Sequence, residues 1–451
     1  MDFLVRMRRF LYISLCLTLV LVCGCSKKSS VNTQDRSLAQ LTGFSFAAVD
    51  SMPGLAKASF SIKELLDTGL VENQDSMLYG TSLKRVIPRF SFGSTPDAAY
   101  LTFPDETYLL TGADTLDFTR DPIYLTIRSA DKSNTKVYRI HPTVHQADPD
   151  LYTWTQLNAG IYGEDDSEQR VVELGDDFVM ITSNGYSMSV YRSADGEMWT
   201  TPASPSGLPA GTKVRQIVSN GTSLFYGQDS TMYSSTDALT WTATKVKHPI
   251  VTMLLHWNKQ VWALTLNDSA QYELATWSGD SLLMSGLQPG SLFPVSDFGT
   301  VTFLSSSLRE RAMIIGGFAE NGLSLNTRWN LEYSTYIHEH NGYRLEEFSI
   351  DHAPFRSLTG ISVISYNHQL QLFGGVDDKM TYLGRDILLS TNEGMTWTKA
   401  DTAKNQLPEA YQARQKQNAI VRDNYIYLFG GQDAKTTYSD VYRGRLNSID
   451  W

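Results

Sequence analysis

Three glycine pairs, each at the end of an apolar strand-like segment, constrain the fold of this chain more than any other feature. They are Gly316-Gly317, Gly374-Gly375 and Gly430-Gly431, spaced 58 and 56 residues apart. Glycine permits close backbone approach and dihedral angles that a β-carbon opposes. Further apolar segments of strand length and polar turns lie between the pairs. Repetition at this interval predicts units of about four short strands.

A polar turn followed by Trp-Thr marks the same units and begins earlier in the chain. The clearest copies contain Asp195 with Trp199, Asp237 with Trp241, and Asn392 with Trp397; a degenerate copy contains Trp277, and Trp451 ends the chain. Asp and Asn side chains accept hydrogen bonds from the backbone of their own turn, and Trp offers a large apolar surface for packing between sheets. We therefore predict that these glycines, turn residues and tryptophans are structural.

This repeat predicts an all-β fold with a β-propeller at residues 150–451. A four-stranded sheet cannot bury both of its faces alone, whereas sheets stacked around an axis can. Six units over this length predict six blades, and a seventh follows if Trp154 belongs to a blade of its own. Either end of the domain is expected to close the ring.

Residues 43–148 have a different pattern and predict a small β-sandwich. Short alternating segments lie between turn signals, as in other sandwiches. Segments 123–128 and 136–141 are expected to pair as a hairpin through the polar loop 129–134, and a short helix is expected at 62–67.

The first residues resemble a bacterial lipoprotein signal. Basic residues lead into an apolar run of about 13 residues, which is too short to span a bilayer. The segment 22–25 then matches the site at which a signal is cleaved and Cys25 becomes the lipidated first residue. We predict a signal peptide at 1–24, a flexible tether at 25–42, the sandwich-like domain at 43–148 and the propeller at 150–451. The resemblance implies an outer-membrane location. In Bacteroidetes lipoproteins, acidic residues soon after the lipidated cysteine are associated with export to the cell surface, so Lys27 and Lys28 at these positions favour the periplasmic face.

Charge argues against a nucleic-acid partner, and cysteine content argues against disulfides in the folded domains. The chain has a formal net charge of −10, and nucleic-acid binding depends on clustered Lys and Arg, so no nucleic-acid partner is expected. All three cysteines lie within the first 25 residues. The folded domains are therefore expected to hold no disulfide.

The signal site, the hairpin at 125–140 and the repeats together resemble a Bacteroidetes lipoprotein family of unknown function. Its members join an N-terminal sandwich-like domain to a kelch-type propeller. The turn at Ser390–Trp397 also resembles the Asp-box of sialidases, with Asn392 in place of Asp. Kelch propellers include galactose oxidase and sialic acid epimerases. The copper cofactor of galactose oxidase needs a free cysteine, but after the predicted cleavage this chain would keep only the lipidated Cys25. No cofactor is therefore predicted.

Other candidate sites carry weaker signals. His338 and His340 would share one face if their segment were a strand, but two such histidines do not predict a metal site. The acidic run 163–168 is expected to be a solvated turn, with a cation or partner site as the alternative. Sugars stack on exposed aromatic rings, although most of these rings are expected to lie in the core. The aromatic candidates are Tyr162, Tyr186, Trp257, Trp329, Tyr336, Tyr343, Tyr382 and Tyr411.

Two functions follow from this pattern. The first is a lipid-anchored, non-enzymatic propeller that binds a protein partner or a glycan through one face of its ring. The second is a carbohydrate-active enzyme of sialidase-like or sialic acid epimerase-like type. A cluster of Arg, Glu and Tyr at the central channel would favour the enzyme, and a channel mouth lined by apolar and neutral side chains would favour binding.

Overall fold

A computed structural model describes residues 35–49, 51–112, 114–162, 168–350 and 352–447. The chain divides into two compact units, Met1–Asp148 and Pro149–Trp451. The predicted signal peptide, Cys25 and Trp451 lie outside the described residues. Within those residues, no helix has the length and apolar character needed to cross a bilayer.

The first unit consists of eight strands and one short helix within the described residues. These are β1 (Leu41–Phe46), α1 (Pro53–Lys57), β2 (Phe60–Lys63), β3 (Thr68–Asn73), β4 (Pro88–Phe92), β5 (Ala98–Thr102), β6 (Thr107–Leu109), β7 (Ile123–Arg128) and β8 (Thr135–His141). The helix predicted at 62–67 is wrong, because its first two residues continue strand β2, and the only described α-helix precedes that strand.

Two sheets of this unit enclose one hydrophobic core. One has the order β2-β3-β8-β7-β5-β6, and the other pairs β1 with β4. The predicted hairpin of β7 and β8 is present, with Leu125 opposite Tyr138. Both residues are fully buried and pack with Phe44 of β1. Alternate residues of β7 therefore bury one face of the large sheet against the small one.

The second unit is built from short antiparallel strands. Its described strands are β9 (Tyr152–Asn158), β10 (Glu168–Leu174), β11 (Asp177–Ser183), β12 (Met188–Ser193), β13 (Val218–Ser219), β14 (Leu224–Ser235), β15 (Thr242–Trp257), β16 (Gln260–Leu266), β17 (Tyr272–Trp277), β18 (Leu282–Met284), β19 (Gly299–Leu304), β20 (Glu310–Ile315), β21 (Thr327–Tyr333), β22 (Tyr343–Ser349), β23 (Ser362–Tyr366), β24 (Gln369–Phe373), β25 (Ile387–Ser390), β26 (Thr398–Lys399), β27 (Asn418–Arg422), β28 (Tyr425–Gln432) and β29 (Thr437–Leu446). Short 3₁₀ turns lie at Val214–Gln216 and His340–Gly342.

These strands form five sheets within the described residues. Their orders are β10-β11-β12, β13-β14-β15-β16-β17-β18, β19-β20-β21-β22, β23-β24-β25-β26 and β27-β28-β29-β9. Two of the predicted units share the six-stranded sheet, because the 16-residue strand β15 pairs with β14 through its first part and with β16 through its second. The number of blades therefore stays a prediction.

The last sheet joins the two ends of the second unit. Strand β9, from its beginning, pairs with β29, from its end, so that Trp154 lies opposite Gly444. Trp154 therefore does not begin a separate sheet. Its ring contacts Phe373 of the neighbouring sheet edge to face, at 6.4 Å between centroids. Trp154 lies in the outer strand of the last sheet, where the repeat pattern predicted Trp451.

The first strand of each predicted unit faces the centre of the ring. β10, β13, β15, β19, β23 and β27 contact one another in this order, and β27 returns to contact β10. The circuit of contacts is closed. These six strands therefore surround a central channel.

Candidate functional site

The glycine pairs lie at joints between neighbouring sheets. All six glycines have positive φ, between 47° and 108°. A β-carbon at Gly430 would stand 2.6 Å from Cδ of Gln169, at the start of β10, and one at Gly374 would stand equally close to Cδ of Gln417. Gln169 Nε2 donates a hydrogen bond of 2.8 Å to the carbonyl of Phe429, and Gln417 makes the equivalent bond. Gly374 and Gly430 thus make room for an amide that connects two sheets.

The polar turns of the repeat are closed by their own side chains. Asp195 accepts hydrogen bonds of 2.8 and 3.0 Å from the N–H groups two and three residues ahead, and Asp237 accepts equivalent bonds of 2.8 and 2.7 Å. Asn392 accepts a bond of 2.9 Å from the N–H of Thr396. These backbone donors lower the pKa of Asp195 and of Asp237. The acceptor atoms are already engaged within the turn.

The tryptophans after these turns pack against a neighbouring sheet. Trp199 contacts Phe429 edge to face, at 6.1 Å between centroids. Trp241 joins the core cluster that contains residues of β10 and β11. Trp397 joins the cluster that contains residues of β19 and β20 and is 1% exposed. In contrast, Trp277 lies in β17 before its turn, so the degenerate copy does not place its tryptophan as the others do.

The aromatic candidates include core, half-buried and surface residues, and Tyr162, Tyr343 and Tyr382 are half-buried. Trp257, Trp329 and Tyr411 are buried. Tyr186 and Tyr336 are 99% and 81% exposed. The two exposed rings lie in separate turns, Tyr186 after β11 and Tyr336 after β21.

The histidine pair does not lie in a strand. His338 and His340 lie in a turn that leads into a 3₁₀ segment, so the alternation of a strand does not apply to them. Across the described residues, no group of three or more His, Cys, Asp or Glu side chains is placed to hold a metal ion.

The central channel contains a cavity of about 360 Å³. Apolar residues such as Val172, Leu254 and Val363 line much of it. The charged lining residues include Arg170, Glu173 and Arg215, but the described lining contains no tyrosine. The described lining therefore contains Arg and Glu, as predicted for an enzyme, but no Tyr. The side chains at the channel mouth are charged, whereas the binding alternative predicted apolar and neutral ones.

A second cavity of about 210 Å³ forms one mouth of this channel. It shares Arg170, Arg215 and Phe298 with the channel cavity, so the two are continuous. We call its charged residues the mouth cluster, and they are Glu168, Arg170, Lys213, Arg215, Asp297 and Lys416. Four cations and two carboxylates give this described cluster a net charge of +2, although the whole chain is acidic. An anionic group is therefore favoured at this mouth.

The mouth cluster begins at the end of the predicted acidic turn. Glu168 is the last residue of the run 163–168, and the other five residues lie outside the described part of the chain. Whether that run is a solvated turn or a partner site stays a prediction.

Backbone hydrogen bonds connect the elements at the mouth. The N–H of Gly360 donates to the carbonyl of Asp297 at 2.7 Å, and the N–H of Lys416 donates to the carbonyl of Gly360 at 2.6 Å. Arg215 Nη1 continues this series by donating to the carbonyl of Lys416 at 2.6 Å. Asp297, Gly360 and Lys416 all have positive φ, at 50°, 65° and 62°. Three sheets and one arginine thus hold the rim in a defined arrangement.

The two arginines of the mouth cluster have different partners. Arg215 Nε lies 3.3 Å from Asp297 Oδ1, and Lys416 Nζ lies 3.7 Å from Asp297 Oδ2. Arg170 Nε donates to the carbonyl of Ile217 at 3.0 Å. Burial, together with the nearby charge of Arg215, lowers the pKa of Arg170 to about 10. Arg170 remains cationic at neutral pH in a partly buried position.

The comparisons with known proteins agree with this architecture. Residues 148–451 match the DUF6242 beta propeller domain, and residues 26–141 match the N-terminal domain of DUF6242, a domain of unknown function. The chain belongs to the DUF6242 family. The predictions of an all-β fold, a propeller and a family of unknown function are therefore confirmed. The descriptions of these DUF6242 domains name no activity, and so they give no function for the mouth cluster.

One solved structure is similar to part of this chain. The structure of YjhT is 13% identical, with a TM-score of 0.46, and the match covers 63% of this chain and 96% of that one. The comparison with curated proteins gives no match.

Sequence reasoning missed the mouth cluster of the DUF6242 propeller. Arg170 and Lys416 are 246 positions apart, and no local motif contains both. One local signal was present, because Arg170 shares one face of β10 with the buried Val172 and Leu174. An arginine that is partly buried usually has a counter-charge or binds a ligand.

Proposed function

We propose that this protein is a lipid-anchored binding protein of the outer membrane, whose propeller holds its ligand at the channel mouth. Of the two ligand classes favoured by the sequence, a protein partner and a glycan, the mouth supports the glycan. A recess of about 210 Å³ accommodates a sugar unit, whereas protein partners bind across wide and mostly flat surfaces.

The mouth cluster is the observation that carries this proposal. Arg and Lys side chains usually remain exposed, yet Arg215 and Lys416 are held at 14% and 22% exposure around one recess. The series of backbone bonds through Asp297 and Gly360 fixes the rim before a ligand arrives. Such preorganisation reduces the entropy lost on binding.

The channel lining meets only part of what the enzyme alternative requires. Retaining sialidases use a tyrosine nucleophile with a glutamate partner. Arg170 and Glu173 line the channel, but the described lining includes no tyrosine. A binding function is therefore preferred to glycoside hydrolysis.

The binding proposal is tested with the chain from residue 26 onward. A glycan array and a pull-down are compared between the unchanged protein, Lys213→Glu and Lys259→Glu. Lys213 belongs to the mouth cluster, and Lys259 lies in the hairpin between β15 and β16, beyond the other end of a channel strand. We expect Lys213→Glu to weaken capture of the bound ligand by about tenfold or more, because it reverses a charge at the rim. Lys259→Glu is expected to bind as the unchanged protein does. Equal binding by all three proteins would exclude the mouth as the site.

The anchor is tested separately in cells. Cys25 is the predicted lipidated residue, and two or more acyl chains give stable membrane attachment. We expect Cys25→Ala to move the protein from the membrane fraction to the soluble fraction. An unchanged membrane fraction would contradict the lipid anchor without affecting the proposed binding site.

A further inference from the structure

No carboxylate of the described residues neutralises the guanidinium of Arg170. Its Nε bonds to the carbonyl of Ile217, and among the described residues no carboxylate lies within 4.0 Å of its guanidinium. Its two terminal nitrogens make no hydrogen bond to a described residue. The residue lines both the channel and its mouth. Two parallel donors therefore remain available at the place where the two cavities meet.

This arrangement costs stability. A partly buried cation without a counter-charge loses hydration that the protein does not replace, and the nearby Arg215 adds repulsion. Arg414 of the same propeller, which is also buried, is paired with Asp440. A residue that the fold retains at a cost is a candidate for binding.

Arg215 is positioned beside it by the rim. Asp297 holds its Nε, and the carbonyl of Lys416 holds its Nη1. Its Nη2 makes no hydrogen bond to a described residue. The rim therefore fixes the orientation of this second guanidinium while one donor remains available.

We propose that Arg170 and Arg215 bind the carboxylate of an acidic sugar, of the hexuronic acid type, at the channel mouth. This inference rests on the proposed function and specifies its ligand class. The terminal nitrogens of Arg170 form a planar fork that matches a carboxylate with two parallel hydrogen bonds. Arg215 supplies a third donor from the side.

The remaining charges favour a single carboxylate over a phosphate ester. Asp297 already takes up part of the charge of Arg215 and Lys416, and Glu168 adds a second carboxylate to the lining. A dianionic phosphate would meet both acidic residues in a small recess. A monoanion satisfies the unpaired Arg170 and leaves the Asp297 contacts in place.

Calorimetric titration of the chain from residue 26 onward tests this inference. The probes are oligosaccharides of glucuronic and galacturonic acid, the neutral glucose and galactose oligosaccharides of the same length, and glucose 6-phosphate. The variants are Arg170→Met, which keeps the volume and removes the charge, Arg170→Lys, which keeps the charge and removes the fork, and Arg309→Met. Arg309 is a half-exposed arginine between β19 and β20 and is the matched control.

We expect the uronic acid oligosaccharides to bind and the neutral ones to bind about 10- to 100-fold more weakly. Arg170→Met is expected to weaken uronate binding by a similar factor, and Arg170→Lys by a smaller one. Arg309→Met is expected to bind normally. The midpoint of thermal unfolding of Arg170→Met is expected to be unchanged or higher, because a buried unpaired charge has been removed.

Each of the other outcomes overturns a defined part of this reasoning. Uronate binding that Arg170→Met leaves intact would overturn the assigned contact. If glucose 6-phosphate bound more tightly than the uronic acid oligosaccharides, the assignment of a carboxylate ligand would be wrong. If neutral glycans bound to the unchanged protein and lost that binding in Lys213→Glu, this result would contradict the carboxylate ligand but agree with the proposed glycan binding at the mouth. A marked loss of stability in Arg170→Met would show that the arginine is structural.

Discussion

Replacing Gly430 with Ala is the sharpest test of how the sheets of the propeller are joined. The glycine has φ of 47°, and a β-carbon there would lie 2.6 Å from Cδ of Gln169. That amide is 3% exposed and uses both ends, because Nε2 donates to the carbonyl of Phe429 and Oε1 accepts from the hydroxyl of Tyr162 at 2.7 Å. The new methyl group must displace an amide that connects two sheets.

Two costs are expected, and a second glycine separates them. A β-carbon at positive φ costs about 1–2 kcal/mol. Displacing the amide leaves buried polar groups without partners and adds about 1–3 kcal/mol. Gly384 has φ of 73°, and a β-carbon there would meet no atom within 4 Å. We expect Gly384→Ala to lower the free energy of unfolding by the first cost alone and Gly430→Ala by both.

Urea unfolding followed by tryptophan fluorescence measures this difference. All nine tryptophans lie at or after residue 154, so the signal reports the propeller and not the first unit. The double variant Gly430→Ala with Gln169→Ala should lose less stability than the two single losses added together, because the alanine no longer meets the amide. Equal losses for Gly430→Ala and Gly384→Ala, within about 0.5 kcal/mol, would refute the proposed joint.

Two further predictions concern the ends and the turns of the propeller. Trp154→Ala should lower the free energy of unfolding by about 2–4 kcal/mol in the same assay, because β9 closes the last sheet and this ring packs on Phe373; a loss no greater than that of the exposed Met198→Ala would contradict this role. Asp237 has a pKa below its ordinary value because backbone N–H groups, first that of Thr240, stabilise its ionised form. Its contribution is therefore present above the unfolded-state pKa of about 4 and is lost as pH falls through the lower folded-state pKa. Asp237→Asn should flatten that acid dependence, and an unchanged pH profile would contradict the argument.

The sequence predicted local features well, because local chemistry determines them. The hairpin of β7 and β8 follows from alternating apolar residues and a polar loop. Asp195 and Asp237 accept hydrogen bonds from their own turns, as their residue type favours. The helix expected at 62–67 failed because an apolar pair in a short acidic segment does not outweigh the pairing of β2 with β3.

The candidate site was not predictable in the same way. Arg170, Arg215 and Asp297 belong to different repeat units, and each resembles an ordinary residue at the start of a strand. Closure of the ring brings these starts together at one end of the channel. The distances that matter join residues far apart in the sequence, and a single sequence contains no signal for them.

The sequence by itself determined that this chain repeats a strand unit, where its glycine pairs and turns lie, and that a propeller is the fold that buries such units. These features depend on residues within one unit. Only the tertiary structure decided that Trp154, from the beginning of the propeller, completes its last sheet, and that Gly374 and Gly430 each face a glutamine of another sheet. It also decided that a net positive cluster forms in an acidic protein. The physical reason is that ring closure is cooperative across the whole domain, so that the neighbours of each strand start are set by all of the sheets together.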